Sequence, residues 1–263
     1  MEAFNYRKAG SADEAVSTLA SAADGKFLAG GMTLLPTMKQ MLATPDTLVD
    51  LGGAGELVGI SRDGDNLVIG AMTTHATVAG SAEVQSAIPA LASLASGIGD
   101  PMVRNRGTIG GSIANADPAA DYPAAVVGLN ATVNTNKRSI AADEFFVDVF
   151  ETALADDELV VSVSFPIPAK AAYQKFPNPA SRYAVVGVMV AQTGDGVRVA
   201  VTGAGPSVFR ASSFEDALGG NFSASALDGL SVSADNLNED IHASAAYRAN
   251  LVGVMAKRAV AAC

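Results

Sequence analysis

The stretch KFLAGGMTLLP, residues 26–36, breaks a short apolar run at two adjacent glycines and restarts with a threonine and, soon after, a proline. Phe27 to Ala29 read as a short buried strand, while Leu34, Leu35, Met38, Met41 and Leu42 recur on one face of a helix. Pro36 suits the first turn of that helix, where its missing N–H costs nothing. The glycines therefore join a strand to a helix. Such a junction is either plain chain geometry or a seat for a phosphate, because paired glycines let successive backbone N–H groups converge on an anion. Taken alone, the stretch favours plain geometry.

The pattern of two glycines and a hydroxyl recurs at Thr108-Ile109-Gly110-Gly111-Ser112. Two such loops in one domain can clasp a pyrophosphate from both sides, which brings the two readings level. Neither loop is the G-x-G-x-x-G fingerprint, and G-x-x-x-x-G-K-[ST] is absent, so a Rossmann domain and an NTPase are disfavoured. Six of the sixteen residues from Gly97 to Ser112 are Gly or Pro, so this stretch is expected to be a loop of specified turns without a periodic element. Arg104 and Arg106 can pair with phosphates, although arginines in polar loops are more often structural. Asp121 can accept from a ribose or ribityl hydroxyl, or is simply an exposed first-turn acid. Ile98 is either an apolar lid over a flat ring or core.

Elsewhere, Ser11-Ala12-Asp13-Glu14 is a capping box that opens a helix over 12–22. Thr47 to Leu51 is a strand, and Asp63-Gly64 turns a hairpin between 57–61 and 66–71. Thr73 and Thr74 cap a short helix through Val78, and further helices are expected over 88–94 and 124–129. Strands follow at 131–134 and 158–165. Pro166-Ile167-Pro168 reads as a domain boundary, separating residues 1–166 from 167–263. Beyond it come a hairpin at Asp195-Gly196, a helix from Ser213 to Gly220, and a C-terminal helix over 243–262 with Arg248, Lys257 and Arg258 outward.

A chain of 263 residues, 49% hydrophobic, can bury two cores. No apolar run reaches the roughly 18 residues of a membrane span, and the N-terminus lacks a secretory segment. A cytoplasmic protein is expected, including at the inner face of the membrane. The net charge of −10 opposes binding to nucleic acid. One cysteine, Cys263, and two histidines, His75 and His242, leave no disulfide framework and no iron–sulfur or His-rich metal site. Both histidines are expected to be capping or structural. Redox chemistry, if present, must use an organic cofactor or another chain.

AGGMTLLP (29–36), IGAMTTHATV (69–78), IGDPMVRNRGTIGGSIANADPAADYPAA (98–125) and HASAAYRANL (242–251) resemble the FAD-binding medium subunit of molybdenum hydroxylases, the aerobic carbon monoxide dehydrogenase and xanthine dehydrogenase superfamily. Motif order and spacing match along nearly the whole chain. The resemblance implies an α+β protein. Residues 1–166 would form a two-part FAD domain of the vanillyl-alcohol-oxidase (PCMH-like) type, and 167–263 a C-terminal domain with a three-stranded antiparallel sheet and helices. It also implies that Ala29, Gly30, Gly31, Met32 and Thr33, together with Thr108, Ile109, Gly110, Gly111 and Ser112, bind the FAD pyrophosphate. Asp121 would contact the cofactor, Ile98 would lie against the flavin ring, and Thr73 and Thr74 would sit close to FAD. Val160 and Tyr183 are further contact positions. Two departures stand out: Met32 replaces the usual Gln or His, and Pro177 stands after Phe176 where a lysine is common.

The family works in larger complexes, so the implied partners are a small subunit with two [2Fe-2S] clusters and a large molybdenum-cofactor subunit, in a dimer of heterotrimers. FAD in this chain would pass electrons to a quinone, oxygen or another acceptor. Two alternatives remain open: a self-sufficient FAD oxidoreductase acting on a small organic substrate, and a flavin-binding or assembly module without electron transfer.

Overall fold

The computed structural model describes residues 1–263. The first part alternates strand and helix: β1 (Asn5–Lys8), α1 (Ala12–Ala20), β2 (Gly25–Leu28), α2 (Leu34–Lys39) and β3 (Thr47–Asp50). The three strands are parallel in the order β1-β3-β2. Ser11 caps α1 by accepting from Glu14 N–H, as the capping box predicts. Ala15 and Leu19 of α1 pack on Val49 and Leu51 in a small core.

The second part contains β4 (Ile60–Asp63), β5 (Asn66–Gly70), α3 (His75–Gly80), α4 (Ala82–Ala87), α5 (Pro89–Ser96), α6 (Pro101–Arg106), α7 (Ile109–Asn115), α8 (Tyr122–Gly128), β6 (Thr132–Thr135), β7 (Ser139–Ala141), α9 (Ala142–Phe145), β8 (Phe146–Asp148), β9 (Glu151–Thr152) and β10 (Val160–Pro166). Its antiparallel sheet runs β4-β5-β10-β6-β7. Leu67 and Ile69 of β5 and Val163 and Phe165 of β10 alternate into a core shared with Leu91, Leu94 and Val126. The stretch 97–112 departs from the expected loop, because it folds into α6 and the start of α7. The reason is local capping: Asp100 accepts from Val103 N–H with Pro101 at the first helical position, and Thr108 accepts from Gly111 N–H.

The last part comprises β11 (Lys170–Pro177), β12 (Ala184–Thr193), β13 (Gly196–Thr202), β14 (Phe209–Arg210), α10 (Ser212–Gly220) and α11 (Ala245–Ala262). The sheet β11-β12-β13-β14 is antiparallel and has four strands, against the three expected. The extra edge forms because the chain doubles back after β13, and Arg210 is then held by Glu215 and Asp143. β12 is a shared wall. Val186, Val188 and Val190 face the core under α11, while Met189 and Ala191 face the core of the second part, as the two-residue period of a strand dictates. Arg248 is buried, contrary to the expected outward position. Its guanidinium donates to the backbone oxygens of Val185 and Gly203 and pairs with Asp240, which satisfies carbonyls left free where the sheet ends.

Candidate functional site

The three parts meet around one cavity of about 530 Å3, within the range of about 300–1,000 Å3 usual for a small-molecule or cofactor site. Its walls are the β2–α2 loop, the α6–α7 junction, the start of α8 and residues 181–183.

Glycines bring these walls together. A Cβ on Gly30 would lie 2.1 Å from the backbone oxygen of Arg106 and 2.9 Å from Gly107 Cα, so only glycine lets the β2–α2 loop rest on the α6–α7 junction. Gly31 has a left-handed backbone, φ +72°, a conformation that costs other residues about 1–2 kcal/mol. Gly110 packs against the end of β5; its Cβ would meet Ala71 Cβ at 2.5 Å.

The two loops differ in what they offer. None of the backbone N–H groups from Ala29 to Leu34 finds an acceptor within the chain. With Gly31 left-handed and Thr33 right-handed, this run forms a concave row of donors suited to an anion. In the second loop, Ile109 N–H donates to Thr73 O, Gly110 N–H to Ala71 O and Gly111 N–H to Thr108 Oγ1. The first loop thus offers a continuous free row, whereas from Thr108 to Ser112 only the Thr108 N–H lacks an acceptor within the chain.

Ala29, Gly30, Gly31, Met32, Thr33, Ile98, Thr108, Gly111, Ser112, Asp121 and Tyr183 all line the cavity. Ile109, Gly110, Thr73, Thr74 and Val160 do not. Ile109 is wholly buried behind the loop. Thr73 Oγ1 is engaged with both the N–H and the oxygen of Gly59. Thr74 caps α3 through Thr77 N–H, and Val160 is buried at a bulge in β10. Arg104 turns away from the cavity and donates to the backbone oxygens of Ile98 and Gly99, fixing the loop that carries Ile98.

Elsewhere on the cavity wall, Asp121 is buried and accepts from Tyr173 Oη and Lys175 Nζ. Burial pushes its carboxyl up, and Lys175 and Tyr173 work against that rise. Asp117, also on the cavity wall, is raised by burial. Lys175 uses all three ammonium donors: on Gly97 O at 2.9 Å, Asp121 Oδ2 at 3.0 Å and Arg182 O at 2.9 Å. Lys175, two residues before Pro177, thereby holds the loop that carries Ile98 through Gly97 O. Gly187, paired with Lys175 across β11 and β12, leaves the space that Tyr173 Oη occupies; a Cβ there would lie 2.1 Å from it.

Sequence reasoning missed His75, Lys175, Arg182 and Phe150 as parts of this site. Tyr173 and Lys175 had a signal, since their two-residue spacing puts both polar groups on one face of a strand. Phe150 had none: it stands 58% exposed at the turn between β8 and β9, where it also borders the cavity.

Residues 2–168 match the family described as the FAD binding domain in molybdopterin dehydrogenase, and residues 171–263 match the CO dehydrogenase flavoprotein C-terminal domain. The chain is 34% identical to the nicotine 6-hydroxylase medium subunit of Paenarthrobacter nicotinovorans, covering 99% of this chain and 97% of that one. It is 35% identical to the carbon monoxide dehydrogenase medium chain of Hydrogenophaga pseudoflava, covering 98% and 96%. In three dimensions it superposes on a chain of the Hydrogenophaga pseudoflava carbon monoxide dehydrogenase that lacks the Mo-pyranopterin moiety of the molybdenum cofactor, with a TM-score of 0.90 and 36% identity over 99% of this chain and 97% of that one. A cavity of cofactor size with an unpaired row of backbone donors, inside matches that run end to end, leads to one conclusion: the chain belongs to the FAD-binding medium subunits of the carbon monoxide dehydrogenase-like molybdenum hydroxylases, as a flavoprotein subunit of an oxidoreductase.

Proposed function

We propose that this chain carries FAD between a small subunit with two [2Fe-2S] clusters and an external electron acceptor, with the substrate oxidised in a large molybdenum-cofactor subunit of the same complex, a dimer of heterotrimers. The unpaired N–H run from Ala29 to Leu34 is the observation that carries the reading. A diphosphate needs several donors and no buried counter-acid beside it, and the cavity's two acids, the buried Asp121 and the half-buried Asp117, belong to the α7–α8 segment. When bound, FAD supplies the conversion between single-electron input and one- or two-electron output.

The chain's own residues bind, orient and shield. Ala29, Gly30, Gly31, Met32 and Thr33 take the diphosphate, with Thr108, Gly111 and Ser112 facing them. Ile98 and Tyr183 would bracket the flat ring, Asp121 would accept a hydroxyl or ring N–H, and Phe150 would limit water at the mouth. Thr73, Thr74, Ile109, Gly110 and Val160 act in this reading by positioning the walls. The fold is of the vanillyl-alcohol-oxidase type, divided at residues 166 and 167 into the FAD part and the C-terminal domain. No helix is long and apolar enough to cross a membrane.

The test is purification of the native complex and assay for molybdenum, iron and FAD, followed by flavin reduction with and without the iron–sulfur subunit. One FAD per chain, reduced only through the partner, is expected. A complex without molybdenum, or an isolated chain that turns over an organic substrate, would point to the self-sufficient oxidoreductase instead.

A further inference from the structure

His75 is 95% removed from solvent yet borders the cavity, and neither ring nitrogen has a hydrogen-bond partner within the chain. Nδ1 is fully enclosed, and the neighbouring Tyr122 ring, with centroids 5.3 Å apart, leaves its own hydroxyl unpartnered as well. A buried polar atom without a partner is destabilising.

Two contacts locate the ring. A Cβ on Gly107 would lie 2.5 Å from His75 Nε2, so the missing side chain of Gly107 makes the niche that Nε2 fills. A Cβ on Gly30 would in turn lie 2.9 Å from Gly107 Cα. The imidazole thus sits one residue behind the glycine pair that carries the free N–H run. Burial, with Arg104 nearby, lowers the His75 pKa to about 4, so the ring is neutral near pH 7. A neutral ring has one donor and one acceptor. Placing the hydrogen on Nε2 leaves only a lone pair enclosed at Nδ1, the less costly orphan.

We propose that His75 is a cofactor-binding residue whose Nε2–H, held in the Gly107 niche, donates a hydrogen bond to the diphosphate of the bound dinucleotide. The proposal rests on the FAD reading above. It explains why an unpaired imidazole is kept in a packed position: the partner arrives with the ligand. A histidine that merely supports the fold predicts the opposite stability signature.

The experiment compares full-length wild type, His75→Leu and His75→Asn after removal of flavin, with FAD and ADP as probes. His75→Leu should raise the Kd for FAD and for ADP at least about tenfold, which is about 1.4 kcal/mol. Its flavin-free thermal midpoint should equal or exceed that of wild type, because an apolar side chain replaces an orphaned polar one. His75→Asn should recover part of the affinity by restoring a donor. Unchanged FAD affinity in His75→Leu would overturn the proposal, as would a flavin-free midpoint lowered as much as the flavin-bound one. A loss confined to FAD, with ADP unaffected, would overturn the diphosphate assignment. If wild type itself binds neither probe, the FAD reading fails and not the role of His75 alone.

Discussion

Lys175 Nζ lies 3.0 Å from Asp121 Oδ2, with the two side chains 11% and 4% exposed. The pair ties β11 of the C-terminal part to the start of α8 and, through Gly97 O and Arg182 O, to both loops that would bracket the flavin ring. Removing one member of a buried ion pair leaves a charge in low dielectric, at a cost of about 3–5 kcal/mol. Lys175→Met should therefore lower stability by that order in urea unfolding. Adding Asp121→Asn should recover part of the loss, since the double variant buries no unpaired charge. Equal and additive losses in the two single variants would show that the pair does not act as a unit.

The two glycine loops should respond differently to substitution. Gly31→Ala strains a left-handed residue by about 1–2 kcal/mol and tilts the N–H row, so FAD retention should fall more than flavin-free stability. Its Cβ also meets Leu35 Cδ1 at 2.9 Å, a flexible end that can rotate away. Gly110→Val drives its side chain into Ala71, both Cβ and backbone. That variant should lose about 1–3 kcal/mol of stability from overpacking, measured without any flavin. Normal stability in Gly110→Val would refute the close-packing role of that glycine.

Met32 is 38% exposed on the cavity wall. Met32→Gln adds a donor beside the free N–H row while disturbing no packing. Tighter FAD binding is expected, by roughly the 0.5–1.5 kcal/mol of one hydrogen bond, with flavin-free stability unchanged within about 0.5 kcal/mol. A fluorescence titration decides it, and weaker binding in the variant would show that the thioether makes a favourable contact of its own.

Glu158, just before the strand that carries Val160, is held at a pKa of about 2, mainly by its hydrogen bond from Arg138, with Thr135 and Ala155 N–H assisting. A carboxylate with a depressed folded pKa contributes stability that is present above its unfolded value, about 4.3, and lost as pH falls toward about 2. Arg138 is half exposed, so solvent weakens the pair. Between pH 5 and 3, wild type should lose stability more steeply than Glu158→Gln. Parallel pH profiles for the two proteins would place the acid sensitivity elsewhere.

Much of the architecture is legible in the sequence because its signals are local. The capping box at Ser11, the Asp-Gly hairpins and the alternating β10 act within a few residues, and the structure follows them. Residues 97–112 misled for an equally physical reason: glycine and proline counts outweighed two N-caps, Asp100 and Thr108, that start helices in a glycine-rich stretch. The partners of Arg248 and Lys175 were opaque because several of them, Val185 O for Arg248 and Gly97 O and Asp121 for Lys175, lie more than fifty residues away in sequence. Paired glycines also look alike in sequence whether they open a donor row, as Gly30 and Gly31 do, or let a helix pack closely on a strand, as Gly110 does. Only the fate of each N–H separates the two.

The most direct measurement is a crystal structure of this chain with FAD bound. The diphosphate oxygens should lie about 2.7–3.2 Å from backbone nitrogens within residues 29–34, with the ring between Ile98 and Tyr183. A diphosphate seated instead on Ile109 and Gly110, with the 29–34 run still unpaired, would contradict the account.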